Sequence, residues 1–414
     1  MGIPHNQELY LMTIHSNITL SMIVKNEAHN LVDCLNSVKN LVDEIVIVDT
    51  GSTDNTKEIA NNSGAKVYDY SWQDNFAQAR NQTLEYVNTE WVLVLDADEI
   101  LNPPIIPYIQ QVIKEKDNLV VNLIRHEIGA LSSPYSQLSR LFRKHPDIKF
   151  SRPYHALIDD AVLSLQEKET HWRIVDLPEI AIKHYGYQPE IIASQDKTQR
   201  AKKAMESYLK GNPNDAYVCS KLGALYLDLG DTKKGLKLLK TGLKLNLATT
   251  ATLFELHYHL ANALVKEKQW DTAVKHYQKA ITQPILAKLK LGAYHNLGSL
   301  CYQGQDFNNA IKLYEECLKI EPNFALAYYN LGLTYRAMGR NFKAIDAYQN
   351  AIKLNPSYPW AYQNLGVLLY KQGEIEDSIR AFQKAYDLNK QQNPKVAQEL
   401  KQELLNMAIE LTEN

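Results

Sequence analysis

Two carboxylates one residue apart, Asp96 and Asp98, stand directly after the apolar run Trp91-Val92-Leu93-Val94-Leu95. Oxygens at that spacing can hold one divalent cation, which in turn can neutralise a diphosphate leaving group. An apolar run this short predicts a strand covered on both faces. The charges that end it must lie where the strand leaves the core, the edge at which open α/β sheets bind ligands. A third carboxylate, Asp49, ends the run Val46-Ile47-Val48 in the same manner. It is placed to accept hydrogen bonds from a nucleobase or ribose, or to cap the turn that follows. An isolated Asp-x-Asp also occurs in solvated turns, so the elements around it decide its meaning.

Those elements alternate. Apolar, β-branched runs at residues 19–24, 44–48, 66–70 and 91–95 predict strands, and helical spacing falls at 27–38, about 54–62 and 75–87. Such alternation predicts a mostly parallel sheet covered by helices. No Gly-x-Gly-x-x-Gly follows the first run, which disfavours a dinucleotide site. From 105 to 190 the pattern loosens, with Pro, His and Arg scattered through it, as in loops and a mixed sheet edge.

The second half repeats. Leu297-Gly298, Leu331-Gly332 and Leu365-Gly366 recur at 34 residues, together with Ala310, Ala344 and Ser378 and the prolines Pro322 and Pro356. Earlier copies run through Leu260, Ala273 and Ala280 and through Leu222, Gly235 and Gly242, at spacings of 37 and 38. A 34-residue unit of this pattern is a tetratricopeptide repeat. The expected organisation is a tail at 1–17 and an α/β domain at 18–190, with halves 18–104 and 105–190. A linker helix at 191–215, five repeats at 216–390 and a solubilising cap helix at 391–414 follow.

A net charge of -2, from 45 basic and 47 acidic residues, gives no whole-chain field to attract nucleic acid or anionic lipid. The four cysteines, Cys34, Cys219, Cys301 and Cys317, form no Cys-x-x-Cys pair and read as reduced core thiols of a cytoplasmic protein rather than a zinc or disulfide framework. No stretch reaches the ~18 apolar residues of a spanning helix, and the first residues lack a basic region followed by an apolar core. Export and membrane insertion are not expected.

Five motifs in order carry a resemblance. They are Ser21-Met22-Ile23-Val24-Lys25-Asn26-Glu27, Val46-Ile47-Val48-Asp49-Thr50-Gly51-Ser52-Thr53-Asp54, Phe76-Ala77-Gln78-Ala79-Arg80-Asn81, Asp96-Ala97-Asp98 and His184-Tyr185-Gly186-Tyr187. Together they resemble the family 2 glycosyltransferases. With repeats appended, they resemble a bacterial branch that includes peptide S-glycosyltransferases of the sublancin type. The resemblance implies a GT-A fold, a Rossmann-like α/β domain, ahead of an all-α solenoid. It also implies an inverting sugar transfer from a nucleoside diphosphate donor, expected to be a uridine diphosphate sugar, with Mn2+ or Mg2+ as cofactor.

Residue by residue, the resemblance gives Asp49 to the nucleoside, with Asp54 as a secondary donor contact, and brings Arg80 towards the donor. Asp98 becomes the direct metal ligand and Asp96 a contact to the ribose or a metal-bound water. His184 is a second ligand or a counter-charge to the pyrophosphate. Inversion also needs a base for the acceptor. Relatives in the branch often carry His-Glu after a segment like Arg140-Leu141-Phe142-Arg143, whereas this chain has His155-Ala156. His155 can act near neutral pH, with Asp159 or Asp160 as substitutes. A thiol acceptor would ask less of the base than a hydroxyl, since it ionises more readily.

In the repeats, Asn296, Asn330 and Asn364 precede the Leu-Gly pairs. Evenly spaced amides can hold a peptide by its backbone, and the row resembles the asparagine ladder of protein O-linked N-acetylglucosamine transferases. The acceptor is thus expected to be a peptide or protein, with a cell-envelope saccharide as the alternative. Dimerisation or docking of a scaffold partner through the repeats is a further reading. A noncatalytic adaptor with a decayed transferase domain is the contrasting class, opposed by retention of Asp49, Asp96, Asp98 and His184. A nucleotidyltransferase would need a Gly-rich basic loop where Lys25-Asn26-Glu27 stands.

Overall fold

The apolar runs of the first hundred residues become strands because both of their faces find cover. The computed structural model describes residues 17–130, 132–185, 195–245 and 248–412. Strands β1 (Ile18–Val24), β2 (Glu44–Asp49), β3 (Lys66–Asp69) and β4 (Trp91–Val94) are parallel, in the order β3-β2-β1-β4. In β4 and the residue after it, Trp91, Leu93 and Leu95 join one core while Val92 and Val94 join another. This double burial is why the segment reads as an unbroken apolar run. On the first face lies α1 (Leu31–Val38), whose Leu31, Cys34, Leu35 and Val38 are buried at helical spacing. On the second lies α3 (Phe76–Glu85), which contributes Ala77 and Leu84. Helix α2 (Thr56–Asn62) links β2 to β3.

Beyond β4 the sheet changes character. The loosely patterned region supplies β5 (Glu99–Leu101), β6 (Asn118–Glu127), β7 (Tyr135–Arg143) and β8 (Arg173–His184), with α4 (Ile106–Val112) and α5 (Asp159–Lys168) between them. The eight-stranded order is β3-β2-β1-β4-β7-β6-β8-β5; β7 runs antiparallel to both β4 and β6. The register of β6 shifts against β7 between Val121 and Leu123, and against β8 at three points. Those irregularities blur the period-2 pattern and hid these strands from sequence reading. Helix α6 (Gln195–Gly211), on the segment expected to be a linker, groups with this first unit, which ends at Pro213.

The second unit is a run of helix pairs: α7 (Ala216–Asp228) with α8 (Thr232–Lys244), α9 (Thr250–Lys266) with α10 (Trp270–Ile281) and α11 (Leu291–Gln303) with α12 (Phe307–Ile320). Next come α13 (Ala325–Ala337) with α14 (Asn341–Leu354) and α15 (Pro359–Gln372) with α16 (Ile375–Gln392). The recurrent Leu-Gly has a packing cause. A Cβ on Gly298 would lie 2.8 Å from the ring of Tyr314, and one on Gly366 2.8 Å from Phe382. Helix α17 (Pro394–Asn406) buries Ala397, Leu400 and Leu404 against Phe382 and Tyr386. Among the described residues no helix is long and apolar enough to cross a membrane.

Candidate active site

The carboxyl ends of β1, β2 and β4 lie side by side, since Val24 pairs with Asp49 and Ser21 with Val94. Asp49 is 1 % exposed. Its Oδ1 accepts the N–H groups of Gly51 and Ser52, each at 2.9 Å, while Oδ2 is buried without a partner among the described residues. One oxygen thus caps the turn, while the other is a buried acceptor with no partner among the described residues. Gly51 makes the turn at φ +103°, a conformation that favours glycine. Asp54 has a different occupation. It accepts from Thr56 Oγ1 at 2.5 Å, Thr56 N at 3.0 Å and Ala28 N at 3.2 Å, and these bonds, the Thr56 hydroxyl foremost, lower its pKa. Asn26 accepts from Thr53 N at 2.8 Å, lacing the loop after β1 to the loop after β2. The two motifs thus interlock, and Asp54 serves that lacing.

Asp96 and Asp98 lie in the turn after β4, at opposite ends of a chain of alternating charges. Asp96 accepts from Arg80 Nη2 and from Arg140 Nη2, each at 2.7 Å. Glu99, wholly buried, accepts from Arg140 at 3.5 Å and from Arg125 at 2.8 Å. Arg125 also pairs with Glu127 at 2.7 Å, Glu127 lies 2.5 Å from His184 Nδ1, and His184 Nε2 lies 3.3 Å from Asp98 Oδ2. Sequence reading found Asp96, Asp98, His184 and Arg80. It missed Glu99, Arg125, Glu127 and Arg140, which join them. Burial alone would raise the Asp96 pKa, but Arg140 and Arg80 hold it well below the usual carboxylate range. Burial would lower that of His184, yet its bonds to Asp98 and Glu127 prevail and bring it up to about 9. The expectation that Asp96 reaches a ribose or a metal-bound water meets a carboxylate whose two oxygens already face guanidiniums.

Among the described residues no group of three or more His, Cys, Asp and Glu is arranged to hold a metal. Two donors do converge, Asp98 Oδ2 and His184 Nε2, and Glu127 fixes the other imidazole nitrogen. A carboxylate that orients the ring is the usual support of a metal-binding histidine. Two protein ligands suffice for an oxygen-liking cation that takes its remaining ligands from substrate and water, so the residues fit Mn2+ or Mg2+.

The three acid–base candidates differ. His155 is exposed on a loop that Ser151 and Leu157 close by backbone pairing, with φ +51°, and its ring meets the edge of Tyr154 at 4.8 Å. Tyr154 in turn packs edge-on against Phe76 at the start of α3. Asp159 accepts from Ser139 Oγ at 3.3 Å; its Oδ2 is shut off from solvent, and burial raises its pKa. Asp160 is taken by Arg152 at 2.8 Å and Ser151 at 2.9 Å. Gly186 and Tyr187 of the last motif lie outside the described residues.

In the second unit Asn296, Asn330 and Asn364 are half-buried rather than exposed, because they bond to one another's neighbours. Asn330 Nδ2 lies 2.7 Å from His295 Nε2, His295 Nδ1 lies 3.1 Å from Asn296 Oδ1, and Asn296 Nδ2 donates to Asn262 Oδ1 at 3.2 Å. Asn364 accepts from Arg336 at 2.6 Å and donates to Tyr329 at 3.2 Å. Asn262 lies 34 residues before Asn296 and belongs to the row; the 37-residue register taken from Leu260 had hidden it.

Known proteins place both units. The family model described as Glycosyl transferase family 2 matches residues 19–175, and TPR repeat models match 298–339 and 332–373. Tetratricopeptide repeat models match 255–283 and 359–392. A TPR repeat-containing protein of Synechococcus elongatus is 42% identical over 292 residues, 70% of this chain and 72% of its own. The SPbeta prophage-derived glycosyltransferase SunS of Bacillus subtilis is 30% identical over 205 residues, 48% of this chain and 46% of its own, so the chain spans less than half of that relative. A glycosyltransferase of Rickettsia felis is 28% identical over 203 residues, covering 47% of this chain and 71% of its own. With the acidic turn after β4 set in a sheet of this kind, residues 19–175 form a glycosyl transferase family 2 domain, and the chain is a glycosyltransferase that carries tetratricopeptide repeats.

Proposed function

We infer that the protein transfers a sugar, with inversion, from a nucleoside diphosphate, preferably a uridine diphosphate sugar, to a peptide or protein acceptor. The observation that carries this reading is the convergence of Asp98 and His184 at the carboxyl edge of the sheet, with Glu127 behind the imidazole. Asp49 Oδ2, a buried acceptor with no partner among the described residues, suits an imino or hydroxyl donor of the nucleoside. Asp98 and His184 would hold Mn2+ or Mg2+, which when bound supplies charge neutralisation for the departing diphosphate. Arg80 and Arg140 keep Asp96 ionised and fixed. Asp159 Oδ2 is shut off from solvent and Asp160 lies in the Arg152 ion pair; we take His155, exposed on its loop, as the base that reaches the acceptor proton. It takes the proton from the acceptor as the nucleophile attacks the anomeric carbon and the nucleoside diphosphate leaves from the opposite face.

The repeats supply an extended surface for the acceptor or a partner, a role usual for such arrays. With their amides engaged by side chains of neighbouring helices, the asparagines tie successive repeats together, and any grip on a peptide backbone uses the hydrogen-bonding capacity left over. The test is to incubate the protein with a panel of nucleotide sugars and a host lysate, with Mn2+ and with chelator, and to find by mass spectrometry which molecule gains a hexose-type mass. Transfer and donor hydrolysis are expected to need the metal and to vanish in Asp98→Ala. Full activity of that variant would overturn the metal assignment.

A further inference from the structure

Arg140 sits in β7 and is 9 % exposed. Its Nη2 serves Asp96 at 2.7 Å and Glu99 at 3.5 Å, but its Nη1 is buried with no partner among the described residues. The other two guanidiniums of the charge chain are better satisfied. Arg125 donates through Nε to Glu127 at 2.7 Å and Ser136 at 3.2 Å and through Nη1 to Glu99 at 2.8 Å. Arg80 donates to Asp96 and lies over the Phe150 ring at 5.5 Å. A buried charged donor left unpaired is costly, and such groups call for an explanation. The surroundings suggest its nature. The guanidiniums of Arg80 and Arg140 converge on the single carboxylate of Asp96, and Glu99 is shared with Arg125, so neither carboxylate has a bond to spare for Nη1, which suits an anionic oxygen from outside the chain. Guanidinium forks match phosphate oxygens in geometry and charge.

We propose that Arg140 is a donor-binding residue whose Nη1 donates to an oxygen of the donor's diphosphate. This rests on the reading of the site as one for a nucleoside diphosphate. Nη1 is shut off from solvent, so its bond to the diphosphate requires the side chains over it to part. Arg140 then has two duties, fixing Asp96 through one nitrogen and seating the leaving group through the other.

Calorimetry separates these duties. The full chain and its Arg140→Met and Arg140→Lys variants are titrated in Mn2+ with a panel of nucleoside diphosphates, the matching nucleosides and inorganic pyrophosphate. Arg140→Met is expected to weaken the preferred nucleoside diphosphate and pyrophosphate by about tenfold or more, the scale of a charge-assisted hydrogen bond, with the nucleoside unchanged. Arg140→Lys keeps the charge without the fork and should recover part of the loss; should the Met variant not fold, it carries the test. An equal weakening of diphosphate and nucleoside means that Arg140 only shapes the turn, and an unchanged diphosphate affinity removes it from the site; either overturns the proposal. No nucleoside diphosphate binding by the unsubstituted protein overturns the donor reading as well, whereas binding with an unaltered diphosphate-to-nucleoside ratio in both variants overturns only the role of Arg140.

Discussion

Glu99 Oε2 accepts the backbone N–H of Asp96 at 2.8 Å, three residues back along the chain, while Oε1 faces Arg125 and Arg140. One wholly buried carboxylate thus closes the acidic turn on itself and anchors it to β6 and β7. Removing the charge in Glu99→Gln keeps an acceptor for Asp96 but leaves two buried guanidiniums short of an anion. We expect a loss of roughly 3–5 kcal/mol, the usual result of breaking a buried ion pair from one side. Urea unfolding read by tryptophan fluorescence checks it, and a loss below about 1 kcal/mol, the range of surface pairs, would show the chain of charges to be loosely coupled.

Glu127 touches His184 and lies outside the acidic turn. Glu127→Gln should preserve the ring's position poorly and lower affinity for Mn2+ by about 10–100-fold, as expected for a group that orients a metal-binding histidine. Manganese titration followed by electron paramagnetic resonance measures this directly, without recourse to turnover. Unaltered affinity would take His184 out of the metal site.

His155→Gln is expected to lower kcat by about 10²–10⁴-fold, the contribution of a positioned base, while leaving nucleoside diphosphate affinity unchanged. Asp160→Asn, which touches the contacts to Arg152 and Ser151, should cost far less. The comparison uses transfer rates on the acceptor identified by mass spectrometry, and a reversed ranking would move the base from the loop to α5.

Acid should weaken the repeats. Burial, together with the neighbouring His276 whose Nδ1 lies 2.9 Å away, brings His257 down to about 4; burial brings His259 to about 4 as well. Burial also lowers His276 and His295. In the unfolded chain these imidazoles take up protons below about 6.5, whereas in the folded chain all four resist protonation, His257 and His259 until near 4. The unfolded state therefore binds more protons in that window, so stability is full above 6.5 and falls as the pH drops towards 4. Allowing for partial exposure, the total loss is roughly 1–3 kcal/mol. Thermal melts followed by far-ultraviolet circular dichroism at a series of pH values should show it, and the His257→Gln variant should blunt the slope.

Much of the first unit is legible in sequence because its strands β1, β2 and β4 are buried on both faces and carry their acids at their ends. Asp49, Asp96 and Asp98 can be found by position alone. Glu127 and Arg140 could not be, since β6 and β7 pair with register shifts and their partners lie 57 and 44 residues away. The Leu-Gly repeats were plain in the sequence because each glycine meets a large ring, whereas Asn262 was lost to a register set three residues off. Distance in sequence, not weakness of interaction, is what concealed the linking charges.

The sheet order also explains what backs the acidic turn. From β1 the chain winds outward through β2 and β3 with α1 on one face, then returns to the other flank of β1 as β4 with α3 on the opposite face. The connections leaving β1 and β4 both turn to the α1 face, since Leu101, Ile105 and Ile109 share a core with Leu31 and Cys34, and the Cys34 thiol donates to the Asp96 carbonyl at 3.6 Å. Helix α1 therefore backs the acidic turn by virtue of chain topology, and an extra strand inserted between β1 and β4 would part the two whatever residues it carried.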